Sequence, residues 1–142
     1  MKNLTKLISL ILITIFLSAM SKKEAKNILG AKLEACCYAP MTGFFRDGFC
    51  HTNQLDHGTH VVCAVVTDEF LEFSRAKGND LVTPRLEYQF PGLKAGDSWC
   101  LCALRWMEAY ENGVAPPIKA EATNEKVFDF IAKEKLEKHY IQ

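Results

Sequence analysis

A chain of 142 residues has room for one domain and its core, and none for a second independent core. With 49% hydrophobic and 24% charged residues it can bury that core, which excludes an intrinsically disordered chain. Basic and acidic residues balance at 17 each, so no cationic surplus is available to neutralise a phosphate backbone, and nucleic acid is excluded as an expected partner.

The chain opens with Lys2 and Lys6, followed by an apolar run over residues 7–17. A basic start before a run too short to cross about 30 Å of hydrocarbon is the pattern of a removable signal peptide. Ala19 and Ser21 flank Met20 with the small residues a signal peptidase reads, and no lipid-anchor cysteine stands there. The expectation is a leader over residues 1–21, a polar linker over 22–26, and an exported protein, periplasmic or secreted, with no membrane span after leader removal. The alternative is translation from Met20, which would leave a cytoplasmic protein. Losing Lys2 and Lys6 makes the remaining chain mildly acidic.

Weak alternation over residues 27–38 predicts a short strand. Pro40 to Gly43 and Arg46-Asp47-Gly48 are turn residues around Phe44-Phe45. Residues 59–66, nearly all apolar and rich in valine, predict the clearest strand. Thr67 caps a helix expected over 68–77, with Asp68 and Glu69 in the first turn, where the helix dipole favours negative charge. Phe70, Phe73, Ser74 and Lys77 share one face, and Gly78 suits the left-handed position that ends a helix. A long connection follows over 79–96.

Asp97 then caps a second helix expected over 98–112, because Trp99, Ala103, Trp106 and Tyr110 recur at helical spacing before Gly113. Pro116-Pro117 breaks the chain before a short strand at 118–122. Asn124 caps a last helical stretch with Val127, Phe128 and Ile131 inward and a kink near Ala132. Together these predict an α+β fold, a two-layer sandwich of a small sheet with helices on one face, in a single domain over residues 27–142.

Several short motifs fall in one order along the chain. They include Pro40-Met41-Thr42-Gly43-Phe44, Arg46-Asp47-Gly48, His60 with Val62-Cys63-Ala64, and Gly78-Asn79-Asp80-Leu81 with Thr83-Pro84. Phe90-Pro91-Gly92-Leu93, Gly96-Asp97, Trp99 to Ala103, Arg105-Trp106 and Ala115-Pro116-Pro117 continue the series. In these the chain resembles the bacterial domain-of-unknown-function family 2237 from Asn27 to Tyr140. The resemblance implies a compact α+β domain and carries no established activity. The chain departs from the family at Phe49, where a second cysteine is common, and at Cys37, where a small polar residue is usual.

Six cysteines follow the leader: Cys36, Cys37, Cys50, Cys63, Cys100 and Cys102. Three readings stand open, namely disulfides, a metal or redox site with His60, and inert core packing. On the expected second helix Cys100 and Cys102 would point about 200° apart, and His60 and Cys63 would fall on opposite faces of a strand. Paired Cys-x-x-Cys knuckles are absent, and no metal ligand set is assigned. Cys36-Cys37 is not a redox motif, and one of the pair is expected to be bonded or buried while the other is free. His51 and His57 read as solvated loop residues.

The remaining candidates are loop charges. Arg46, Asp47, Asn79, Asp80 and, from the second helix, Arg105 are expected to gather on one side and bind a small polar ligand. Taken singly, each loop position also reads as turn chemistry. The favoured function is therefore a small-ligand-binding or accessory domain. The alternatives are a thiol-dependent or metal-binding enzyme, with Cys63 or Cys100 as nucleophile and His60 as base, and a purely structural, disulfide-stabilised domain. No pattern in the chain names a cofactor or an oligomeric state.

Overall fold

Burial of the valine-rich run organises the molecule. In the computed structural model, which describes residues 24–141, Val62–Val65 forms strand β1 and pairs antiparallel with strand β2, Ser98–Leu101. Val62 lies opposite Leu101, Cys63 opposite Cys100, Ala64 opposite Trp99, and Val65 opposite Ser98. Every residue of β2 is buried, as are Val62, Cys63 and Ala64. The expected leader over 1–21 lies outside the described residues.

Helix α1, Asp68–Ala76, follows β1 as its signals predict. The Thr67 hydroxyl accepts from the Phe70 N–H at 3.2 Å, and Gly78 just past the end holds φ +82°. Phe70, Leu71 and Ser74 are buried, while the exposed Lys77 lays its ammonium 5.6 Å from the Phe73 ring centre.

The second helix differs from expectation. Residues 98–101 are strand β2, and helix α2 is Ala103–Glu111, with Cys102 at its cap position. The i, i+4 relation of Trp99 to Ala103 has the helical period by coincidence. Trp99, Cys100 and Leu101 gain more by completing a ladder with the buried β1 than by adding one turn to a helix. Trp106 is fully buried on α2 and donates its indole N–H to the Pro116 carbonyl at 3.0 Å.

Two expected strands shrink to isolated bridges. Asn27 is buried and takes over the hydrogen bonding of its segment. Its amide donates to the Lys32 and Glu121 carbonyls, and its side-chain oxygen accepts from the Leu29 and Ala31 N–H groups. That local network competes with a strand over 27–38. Ile118 bridges Ala64 on one side and Tyr140 on the other before the chain tightens into a 3₁₀ turn, Ala120–Ala122.

Asn124 does act as a cap, accepting from the Lys126 N–H at 3.0 Å, but the segment it opens is the 3₁₀ turn Glu125–Asp129. The chain breaks at Ala132 and resumes as helix α3, Lys133–Glu137. Val127 and Ile131 are buried as expected. Phe128 is corrected to the surface at 39% exposed, because three residues per turn rotate it off the inner face. Two strands and three short helices around one apolar core make this a small α+β domain. Among the described residues no helix is long and apolar enough to cross a membrane.

Candidate active site

The segment before β1 is drawn tight by Asp56. Its carboxylate is fully buried; one oxygen accepts from the His60 backbone N–H at 2.8 Å and the other from His60 Nδ1 at 2.6 Å. The far ring nitrogen, Nε2, lies 3.2 Å from Cys102 Sγ. Sulfur, imidazole and carboxylate thus form one line, brought together from the loop before β1 and the cap of α2.

Two local features hold this line in place. Thr59 sits at φ 50°, in the left-handed region that a β-branched residue enters only where its surroundings impose it. The Thr59 carbonyl accepts from the Val61 N–H at 2.9 Å and the Ala103 N–H at 3.0 Å, tying the His60 turn to the residue after Cys102. Gly58 supplies the clearance. A Cβ there would lie 2.8 Å from His60 Cε1 and 2.9 Å from Cys102 Sγ.

A carboxylate only accepts, so Asp56 fixes the proton of His60 on Nδ1 and turns Nε2 toward the sulfur. The hydrogen bond and charge of Cys102, reinforced by those of Asp56, push the His60 pKa up to about 9 against the effect of burial. A protonated His60 would donate from both nitrogens, to Asp56 and toward the sulfur. Burial alone would raise the Asp56 carboxyl, but the bonds and charge of His60 outweigh it and hold the group below its ordinary value.

Cys102 opens on a cleft of about 380 Å³ lined by His57, Gly58, Leu104, Arg105 and Glu108. Among the described residues the first-turn N–H groups of Leu104 and Arg105 have no acceptor, as is usual at a helix start. His60 also borders a second cavity of about 170 Å³ with Gly43, Phe44, Arg46, Trp99 and Cys100. The Phe44 ring stacks on the imidazole at 6.0 Å between centres.

Both expected nucleophiles, Cys63 and Cys100, are corrected. Cys63 is bonded to Cys36 and Cys100 to Cys50, and all four are buried, so neither Cys63 nor Cys100 carries a free thiol. The cross-strand pair Cys63 and Cys100 sets the two disulfides side by side. Cys37 and Cys102 are the free thiols, both half-buried.

The loop charges do not pair with one another. Asp80 accepts from the Thr83 hydroxyl at 2.6 Å and from the Thr83 and Val82 N–H groups, which hold its carboxyl well below the usual range. Asn79 bonds Ser74, and Asp47 accepts from the Phe49 N–H at 3.0 Å. Arg105 reaches Glu108 at 3.0 Å rather than Asp47 or Asp80. Only Arg46 joins His60 at one cavity, and Arg105 borders the Cys102 cleft.

The sequence left Asp56 and Cys102 out of the site. The one available signal was the four-residue spacing of Asp56 and His60, which suits a side chain closing its own turn. Cys102 was hidden by the helix expected over 98–112, which ran straight through its cap position.

The family model described as uncharacterized protein conserved in bacteria, domain of unknown function 2237, matches residues 26–140. The chain belongs to this family. No curated protein matches it. The family span contains all three members of the Cys102–His60–Asp56 line, both disulfides and Arg46. The buried disulfides of this family member are compatible with an exported protein.

Proposed function

We propose that the protein is a thiol-dependent enzyme of acyl transfer, with Cys102 as nucleophile, His60 as general acid and base, and Asp56 as the group that orients His60. The observation that carries this reading is the unbroken line from Cys102 Sγ to His60 Nε2 at 3.2 Å and from His60 Nδ1 to Asp56 at 2.6 Å. A nucleophile bonded to a base that a third group orients is the general arrangement for covalent catalysis.

The imidazole beside the sulfur is placed to take its proton as a carbonyl carbon is attacked. Attack on a carbonyl carbon would place the developing oxyanion near the Leu104 and Arg105 N–H groups, which have no acceptor among the described residues. The polar loop cluster on which a binding reading depends does not pair up, whereas thiol, imidazole and carboxylate do. That contrast favours the enzyme over the binding module. We also infer that it works outside the cytoplasm, in an oxidising compartment. The two disulfides and the Lys-flanked apolar start support this.

Exposure to 4-nitrophenyl acetate tests the reading. A burst of nitrophenolate should accompany acylation of Cys102, read by peptide mass. The burst should vanish in Cys102→Ala and persist in Cys37→Ala. Acylation of Cys102 no faster than of Cys37 would refute the proposal.

A further inference from the structure

The two disulfides gather their sulfurs at one point in the core. Pairing alone requires only that Cys36 meet Cys63 and that Cys50 meet Cys100. In addition, the sulfurs of Cys36, Cys50 and Cys100 all lie within 4.8 Å of one another, and Cys63 is bonded to the first of them. Thiolates around one tetrahedral ion, each about 2.3 Å from it, stand about 3.8 Å apart. The cluster is already close to that spacing.

Each cysteine is also anchored independently of its sulfur. The Cys36 N–H donates to the Gly48 carbonyl at 2.8 Å, and the Cys36 carbonyl accepts from Lys119 Nζ at 3.4 Å. The Cys50 carbonyl accepts from the Asn124 amide at 3.1 Å. Cys63 and Cys100 are opposite one another in the β1–β2 ladder, so their side chains leave the same side of it. Their N–H groups donate to the hydroxyls of Thr123 at 3.1 Å and Thr42 at 2.8 Å, both fully buried. Cleaving the sulfur–sulfur bonds removes none of these hydrogen bonds.

Among the described residues no imidazole or carboxylate joins the cluster. A set of thiolates alone selects a soft or borderline ion held tetrahedrally, zinc foremost. All of these cysteines are buried, as in a closed structural centre rather than an open catalytic one. The Lys119 ammonium beside Cys36 sets a cation against the negative charge of such a centre. Cys100 borders the cavity of about 170 Å³ shared with His60 and Trp99, which gives a reductant and an ion a route to the sulfurs. We propose that in reducing surroundings Cys36, Cys50, Cys63 and Cys100 hold one zinc ion, which replaces the disulfides as the staple of the core.

The conversion balances as thiol–disulfide exchange. A dithiol reduces each disulfide to two thiols and closes to its own disulfide. Zinc then forms a bond to each sulfur and releases one proton from each thiol.

The experiment uses protein reduced with dithiothreitol, freed of it by anaerobic gel filtration, and titrated with cobalt(II) and then zinc. The expected result is one cobalt ion per chain, with the intense visible bands of tetrahedral cobalt and a thiolate charge-transfer band, both lost when zinc displaces it. In the zinc-loaded protein iodoacetamide should label Cys37 and Cys102 and spare the other cysteines, read by peptide mass. The Cys37→Ala, Cys102→Ala protein should bind as wild type does. Cys36→Ser should weaken zinc, measured by competition with a chelating dye, by at least the roughly tenfold to hundredfold that loss of an outer-shell partner costs. Zinc should also restore any circular dichroism that reduction removes, so unfolding of the reduced chain does not hide the site. A reduced protein without the tetrahedral cobalt spectrum, folded or not, would overturn the proposal. So would metal that protects Cys37 or Cys102 while the buried thiols stay open to label, or an affinity unchanged in Cys36→Ser.

Discussion

Replacing Gly58 by alanine tests the geometry of the triad without deleting any of its chemical groups. The new Cβ would stand 2.8 Å from His60 Cε1 and 2.9 Å from Cys102 Sγ. Ordinary carbon contacts lie at about 3.5–4.0 Å, so the two groups together must yield by about 0.7 Å or more. Neither has an easy retreat. Asp56 and the Phe44 ring hold the imidazole, and the Thr59 bond to the Ala103 N–H holds the start of α2. The bond of 3.2 Å between Cys102 Sγ and His60 Nε2 is therefore what opens.

A displacement of about 1 Å in a reacting pair costs on the order of a hundredfold in rate. Overpacking destabilises by about 1–3 kcal/mol, partly offset by the 0.4–1 kcal/mol or so that Gly→Ala gains by restricting the unfolded chain. Against a typical domain stability of about 5–15 kcal/mol, the variant stays folded. The assay is iodoacetamide alkylation of Cys102, followed by peptide mass from about pH 5 to 9, with Cys37 as the internal standard. The wild-type Cys102 should be alkylated faster than Cys37, and the variant should lose most of that advantage. An unchanged rate and pH profile in Gly58→Ala would refute the reasoning.

Two further outcomes concern stability. The raised His60 pKa contributes stability that is complete below its ordinary value of 6.5 and is lost as pH rises through about 9. The lowered Asp56 pKa contributes stability that is complete above its ordinary value of 3.8 and is lost at more acid pH. The melting-temperature gap between wild type and Asp56→Asn should thus be widest between 3.8 and 6.5, corresponding to about 1.5–3 kcal/mol, and should narrow on either side; a gap constant with pH would contradict this. The disulfides close loops with sequence separations of 50 and 27. Loop entropy then predicts that Cys50→Ala with Cys100→Ala costs about 4 kcal/mol and Cys36→Ala with Cys63→Ala about 3.5 kcal/mol. Urea midpoints equal to wild type under non-reducing conditions would show that the bridges contribute nothing.

Local chemistry was legible in the sequence wherever a few adjacent residues decide the outcome. The β1 core shows in consecutive valines, and α1 in its Thr67 cap, acidic first turn and closing Gly78. The break at Ala132 and the cap at Asn124 were legible in the same way, as was the α+β class that follows from the mixture. The turn role of Asp80 was within reach too, since it bonds within its own loop, whereas Asn79 reaches back to Ser74 on α1.

What the sequence could not decide were the questions settled by partners distant along the chain. Residues 98–101 have a helical period on paper and become a strand because β1 offers a ladder. That single change moves Cys102 from mid-helix to a helix cap and gives Cys100 a partner in Cys50. The loop charges do not pair with one another, because Asp47 and Asp80 each accept from N–H groups of their own turn. Cys102 and His60 are 42 residues apart in sequence, and the β1–β2 ladder, continued by the bond from the Ala103 N–H to the Thr59 carbonyl, brings them together. Caps, turns and β-branched runs are set by energies between neighbours and can be read along the chain. A nucleophile and its base are paired by packing, which becomes definite only once the core has closed.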